Sequence, residues 1–267
     1  TEPTPTPTAG PTPTPTAGPL PSPTPAAGPG NVSTTEATPT PVLTPAEQVP
    51  EAGKTITDES SGASFIVTSI DKDNPTVKYQ GLSEAAKNAK SVVIKSEVMI
   101  GSVKYKVTAI ADKALKGTAV EKLTISDGIE TIGNEAFANC KKLTSVKIGK
   151  DVTRIGNKAF TGCPKLKSVT IGKKVTSIGN SAFAKCTSLK KITIPASVKT
   201  LGSKAFFGCN NLGTIKIKTK YLTQKSVKAK AFAGTKANVK VSVPKGKADD
   251  YRTTLVKRGL SKSATVK

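Results

Sequence analysis

The chain has 267 residues, of which 41 are basic and 18 acidic, giving a net charge of +23, with four cysteines, one methionine, no tryptophan and no histidine. The lack of histidine excludes Ser-His and Cys-His nucleophile pairs and the common mixed zinc ligand sets. No apolar run is long enough to span a bilayer, so no membrane insertion is expected.

Residues 1–53 hold 15 of the 19 prolines, no lysine or arginine and almost no large apolar side chain, so they cannot bury a core. The phrase "PTPTPTAGP" runs from Pro3 to Pro11 and again from Pro11 to Pro19. Proline fixes φ and removes amide donors, which predicts a solvated polyproline II spacer reaching at most roughly 160 Å. Alternating Thr and Pro suits either an unmodified linker or an O-glycosylated stalk, and Asn31-Val32-Ser33 is a sequon of low specificity. Only Glu2, Glu36, Glu47 and Glu51 charge this tract, so residues 54–267 carry a net +27. A chain that opens at Thr1 without a charged-then-apolar leader is expected to be a fragment or to have lost its leader. The stalk points to export, to a secreted or cell-surface position, with a precursor extending upstream.

Residues 54–108 read as a β-rich N-terminal cap. "SFIVTSI" (Ser64 to Ile70) and "TVKYQGL" (Thr76 to Leu82) alternate with period two around Asp71-Lys72-Asp73-Asn74-Pro75, which predicts a hairpin. "KSVVIKSEVMI" and "VKYKVTAIADKAL" follow. Ile110 and Ala114-Leu115 precede Ile132 and Ala136-Phe137 by 22 residues, marking a degraded repeat, and "SVVIKSEVMIG" reads as an earlier one.

From 109 to 219 the sequence restates itself. Phe137, Phe160, Phe183 and Phe206 recur every 23 residues, as do Cys140, Cys163, Cys186 and Cys209, and Leu143, Leu166, Leu189 and Leu212. Val146-x-Ile148, Val169-x-Ile171, Ile192-x-Ile194 and Ile215-x-Ile217 keep the same register. The Val-x-Ile portion has the period of a strand, so the expected fold is an α/β-type solenoid with one short parallel strand per coil and a buried apolar column. Gly133, Gly156, Gly179 and Gly202 are expected to free the backbone into a one-turn helix on the convex side, capped by Asn134, Asn157, Asn180 or Ser203.

These units resemble the BspA-type leucine-rich repeats of secreted and surface proteins. Leu143-x-x-Val146-x-Ile148 is similar to that family's Leu-x-x-Leu-x-Leu strand, and Ala-Phe-x-x-Cys is its distinguishing phrase. The resemblance implies a horseshoe-like leucine-rich repeat solenoid used for adhesion or partner binding, with no catalytic residues to carry over.

The cysteines hold one inward position per coil, which favours buried free thiols over disulfides, and the spacing of 23 with no Cys-x-x-Cys pair argues against a metal site. After Ile217 the register slips: Ala231-Phe232 comes 26 residues after Ala205-Phe206, and Thr235 takes the cysteine position. "NVKVSVP" predicts a strand and "ADDYRTTLVKRGL" a helix ending near Gly259, so residues 220–267 read as a strand-helix C-terminal cap. Residues 54–267 are then one cooperative domain, expected to be monomeric.

Carboxylates do not recur in register, no phosphate-cradling loop is present, and neither an enzyme nor a cofactor is expected. The x positions of Leu-x-x-Val-x-Ile point away from the core, onto a concave sheet. The candidate binding residues there are Lys147, Lys167, Thr170, Lys190, Lys191, Thr193 and Lys216. Such a surface suits an anionic glycan or cell-wall polymer, or an acidic host or matrix protein. Lysines that merely solvate exposed strands are the competing explanation. Nucleic acid is not expected, because aromatics for base stacking are missing from these rows. A second reading makes the segment a wall-docking accessory of a larger exported protein or enzyme.

Overall fold

The computed structural model describes residues 50–267, so the Thr-Pro stalk and its sequon lie, through residue 49, outside the described residues. Every described element belongs to the unit Leu43–Lys267.

The first strands are β1 (Thr55–Asp58), β2 (Ala63–Ser69), β3 (Thr76–Leu82), β4 (Ser91–Ile94), β5 (Glu97–Ile100) and β6 (Val103–Ile110). β1, β2 and β3 form an antiparallel meander, so the expected hairpin across Asp71–Pro75 is present. β5 and β6 form a second hairpin, and β3 pairs parallel to β6. The alternation Phe65, Val67, Val77 and Tyr79 is inward throughout, which is why these segments form half-buried strands.

The coils follow as β7 (Lys122–Ile125), β8 (Thr131–Ile132), β9 (Ser145–Lys147), β10 (Arg154–Ile155), β11 (Ser168–Thr170), β12 (Ser177–Ile178), β13 (Lys191–Ile194), β14 (Thr200–Leu201) and β15 (Thr214–Ile217). The chain closes with β16 (Lys240–Ser242), helix α1 (Ala248–Lys257) and β17 (Thr265–Val266). The expected parallel strand per coil is present: β4, β7, β9 and β11 pair in order, as do β13, β15, β16 and β17. β11 and β13 are neighbours without ladder pairing.

Each regular coil also has a second strand of two residues, which the one-strand expectation lacked. β8, β10, β12 and β14 pair parallel in register and continue the sheet of β6. Thr-Ile, Arg-Ile, Ser-Ile and Thr-Leu are too short to show a period, so only the neighbouring coil makes them strands.

The convex helices are replaced by turns; among the described residues α1 is the one α-helix. Glu135, Lys158, Ser181 and Lys204 have φ of 54–57°, outside the right-handed helical region. Their amides and those of the following Phe residues donate to the next coil, as in Phe137 N to the Ala159 carbonyl at 2.8 Å and Phe160 N to Ala182 at 2.7 Å. The asparagines likewise cap a neighbour: Asn134 Oδ1 accepts from Asn157 N (2.9 Å), Asn157 Oδ1 from Asn180 N (2.8 Å) and Asn180 Oδ1 from Ser203 N (2.8 Å). The glycines before them serve close approach, because a Cβ on Gly156 or Gly179 would sit 2.5–2.6 Å from backbone atoms of the preceding coil.

The core is one continuous column. Phe137, Phe160, Phe183, Phe206 and Phe232 stack with centroids 5.0, 5.2, 5.4 and 5.5 Å apart and planes within 14°. Burial of each ring is worth about 1.5–3 kcal/mol, and each pair adds about 0.5–1.5 kcal/mol. The four cysteines are free and buried, as expected. Each thiol also donates a hydrogen bond: Cys163, Cys186 and Cys209 Sγ donate to the carbonyls of Phe137, Phe160 and Phe183 at 3.1–3.2 Å, and Cys140 donates to Leu115 at 3.0 Å.

Candidate functional site

Because Val146, Ile148, Ile192, Ile194, Ile215 and Ile217 face the column, the residues between them must face outward. All seven candidates, Lys147, Lys167, Thr170, Lys190, Lys191, Thr193 and Lys216, are exposed. Parallel register fixes their neighbours. Lys147 lies between Thr124 and Thr170. Lys191 is opposite Thr214, and Lys216 lies between Thr193 and Ser242. Lys167 and Lys190 immediately precede β11 and β13, and Lys167 N donates to the Thr144 carbonyl at 2.8 Å.

Two further lysines belong to the same face. Lys122 lies between Ser91 and Ser145, and Lys240 between Thr214 and Thr265. Lys122 is legible in the sequence, 23 residues before Ser145; Lys240 is not, because the register has slipped by then. Within the ladders of this face Lys122, Lys147, Lys191, Lys216 and Lys240 are all flanked by hydroxyl side chains. In the row Lys191-Thr214-Lys240-Thr265 this places the two charges two rungs apart, and no two lysines of these ladders are directly opposite, an arrangement that would cost stability.

One carboxylate shares a row with the lysines: Glu121 immediately precedes β7, in line with Thr144 and Lys167. Asp127 pairs with Lys150 and Asp151 with Lys174, each at 2.9 Å, beside the strands. Hydrogen bonds from the Lys150 amide and ammonium hold Asp127 below the usual carboxylate range. The Lys174 ammonium and the Gly128 amide do the same for Asp151. Among the described residues, none of the five candidate lysines has a carboxylate oxygen within 4.0 Å. The face therefore presents ammonium donors and hydroxyls with no direct ion pair, although the Asp127 carboxylate still feels the charge of Lys147. Among the described residues no three Cys, Asp or Glu side chains are grouped so as to hold a metal ion. No helix of the described residues is long and apolar enough to cross a membrane.

A family model described as the BspA type leucine rich repeat region matches residues 108–245 in six copies. Among solved structures, a leucine-rich cell surface protein of Faecalibacterium prausnitzii is 28% identical with a TM-score of 0.54, covering 73% of this chain and 49% of its own. A leucine-rich repeat protein of Bacteroides ovatus is 27% identical with a TM-score of 0.50, covering 68% of this chain and 58% of its own. The leucine-rich repeat protein of Treponema pallidum, at 19% identity and a TM-score of 0.56, shares the fold over 79% of this chain and its entire own length. The chain thus spans about half the length of the first of these relatives. No curated protein matches.

Proposed function

Because the chain belongs to the BspA-type leucine-rich repeat family, we propose that it is a non-enzymatic binding and adhesion module displayed outside a bacterial cell. It acts as a monomer at the end of its Thr-Pro stalk. The binding surface is the outward face of the longer strands, and the ligand is an anionic glycan or cell-wall polymer, or an acidic protein. Similarity to a cell surface protein supports the location. The observation that carries the ligand class is the set of exposed lysines with no carboxylate within ion-pair distance, interleaved with hydroxyls that hydrogen-bond to phosphate, sulfate or carboxylate oxygens.

The test is binding of lipoteichoic acid and heparin to the wild-type chain and to the variant with Lys147, Lys167, Lys190, Lys191 and Lys216 all changed to Gln, at ionic strengths of about 0.02 and 0.3 M. The expected result is affinity that falls with salt and is about tenfold or more weaker in the variant at low salt. Equal binding by both proteins at low salt overturns the assignment.

A further inference from the structure

At the first rung of the stack the sheet stops at β4, whose partner β7 lies on one side only. Lys122 N and Ser126 N donate to the Lys90 and Ile94 carbonyls at 3.0 Å, so Lys90, Val92 and Ile94 turn their backbone groups toward β7. By strand alternation, Ser91, Val93 and Lys95 turn theirs the other way, where no strand among the described residues pairs with them.

That open edge borders a cleft of about 420 Å3. Its lining includes Phe65, Tyr79, Ile94, Val98 and Met99. Val93 and Met99 at the cleft are 56% and 55% exposed, two of four large apolar side chains so exposed among the described residues. Tyr79 is 2% exposed, packs edge-on to Phe65 at 5.7 Å, and its buried hydroxyl has no hydrogen-bond partner. Leaving a buried hydroxyl unpaired is destabilising, a loss that an occupant bearing an acceptor would recover. Burial also pushes the phenol well above its ordinary range, so it remains a neutral donor. Asp58 and Glu97 against Lys95 and Lys104 leave the rim neutral, in contrast to the lysine face.

We infer that this cleft is a strand-addition site for an uncharged, extended peptide of a partner protein. The peptide hydrogen-bonds to the free edge of β4 and seats one long side chain, apolar along its stem and an acceptor at its tip, against Phe65 and the Tyr79 hydroxyl. Main-chain pairing supplies affinity and the pocket supplies selectivity. The occupant takes the place a further coil would fill, continuing the parallel ladder by one rung. A free edge accounts for a strand, an unpaired buried donor for the acceptor tip, and a neutral rim for the lack of charge.

The probes are blocked peptides Ser-Thr-Val-X-Val-Thr-Ser with X as Gln or Ala, and an N-methylated Gln peptide that cannot pair, titrated at about 0.5 M salt to silence the lysine face. Binding is followed by NMR and amide hydrogen exchange. The Gln peptide is expected to slow exchange at Val93 and Lys95 at least tenfold and to bind at least fivefold tighter than the Ala peptide, and the N-methylated peptide is expected not to bind. Tyr79→Phe is expected to erase the preference for Gln over Ala and keep Ala binding. Val93→Pro, which removes an outward-facing amide that takes no part in the ladder to β7, is expected to abolish both. Binding with unchanged exchange at Val93 and Lys95 overturns strand addition and leaves a small-molecule pocket. Protection of the same amides that grows with protein concentration and without peptide assigns the edge to a second copy. Absence of binding, or binding retained by Val93→Pro, overturns the inference.

Discussion

Between Ile132 and Ile217 each coil is tied to its neighbour by a ring, a thiol and an asparagine oxygen; in the coil after Ile217 only the ring stays in place. Phe232 lies 26 residues after Phe206, yet it stacks at 5.5 Å, almost the 5.4 Å between Phe183 and Phe206. Thr235, in the cysteine position, donates to the carbonyl of Phe232 in its own coil. Ser203 replaces the asparagine, and its hydroxyl donates forward to the Ala229 carbonyl at 2.9 Å. Dispersion is non-directional and tolerates the three-residue slip, and the side-chain hydrogen bond across it is rebuilt by a shorter side chain that donates where asparagine accepted. The irregular coil compensates with α1, whose Tyr251 hydroxyl donates to the Thr219 carbonyl at 2.6 Å and whose Leu255 is fully buried.

The largest test of this contrast is ring removal. Phe183→Ala, which loses two stacked neighbours, is expected to cost about 3–5 kcal/mol in urea unfolding, and Phe232→Ala, with one, the lower end of that range. Equal costs would show that the regular coils gain nothing from continuity. A smaller effect is expected from coil spacing. Gly179→Ala places a Cβ 2.6 Å from the Gly156 backbone and is expected to cost about 2 kcal/mol, whereas Gly246→Ala, at φ +75° with open space around it, should cost about 1 kcal/mol. A Gly179→Ala cost no greater than that of Gly246→Ala would show that the coils are not held at contact distance.

The smallest effect concerns the thiols. Burial pushes Cys186 well above its ordinary range and Cys209 up to about 12. Their folded values exceed the unfolded value of about 8.5, so their contribution is complete below that pH and falls as pH rises toward 12, by about 1 kcal/mol per thiol at pH 9. Unfolding curves between pH 7 and 10, compared with the Cys186→Ser, Cys209→Ser double variant, isolate this loss. An identical pH slope in both proteins would place the thiols outside the column.

The strands, the column and the lysine face were legible because residues 23 apart carry the signal directly. The helices expected around Ala-Phe were misread because turn and helix share the same apolar spacing. What separates them is the acceptor of the Phe137 amide, at Ala159, 22 residues onward, and no local pattern reports it. The glycines were misread for a similar reason: Gly156 is small because of the Gly133 carbonyl, which is distant in sequence. Lys240 was missed once the period slipped, and the cleft beside β4 could not be foreseen, since it joins β1–β6 through contacts between segments that do not repeat.

The side-by-side pairing of identical coils makes reach a quantity that heredity can change in whole steps. Duplicating or deleting one 23-residue unit shifts the distance between the two ends by about 4.8 Å and adds or removes one row of the lysine and hydroxyl lattice. No other row need readjust, so the length of such a chain can change by recombination alone while its column stays continuous.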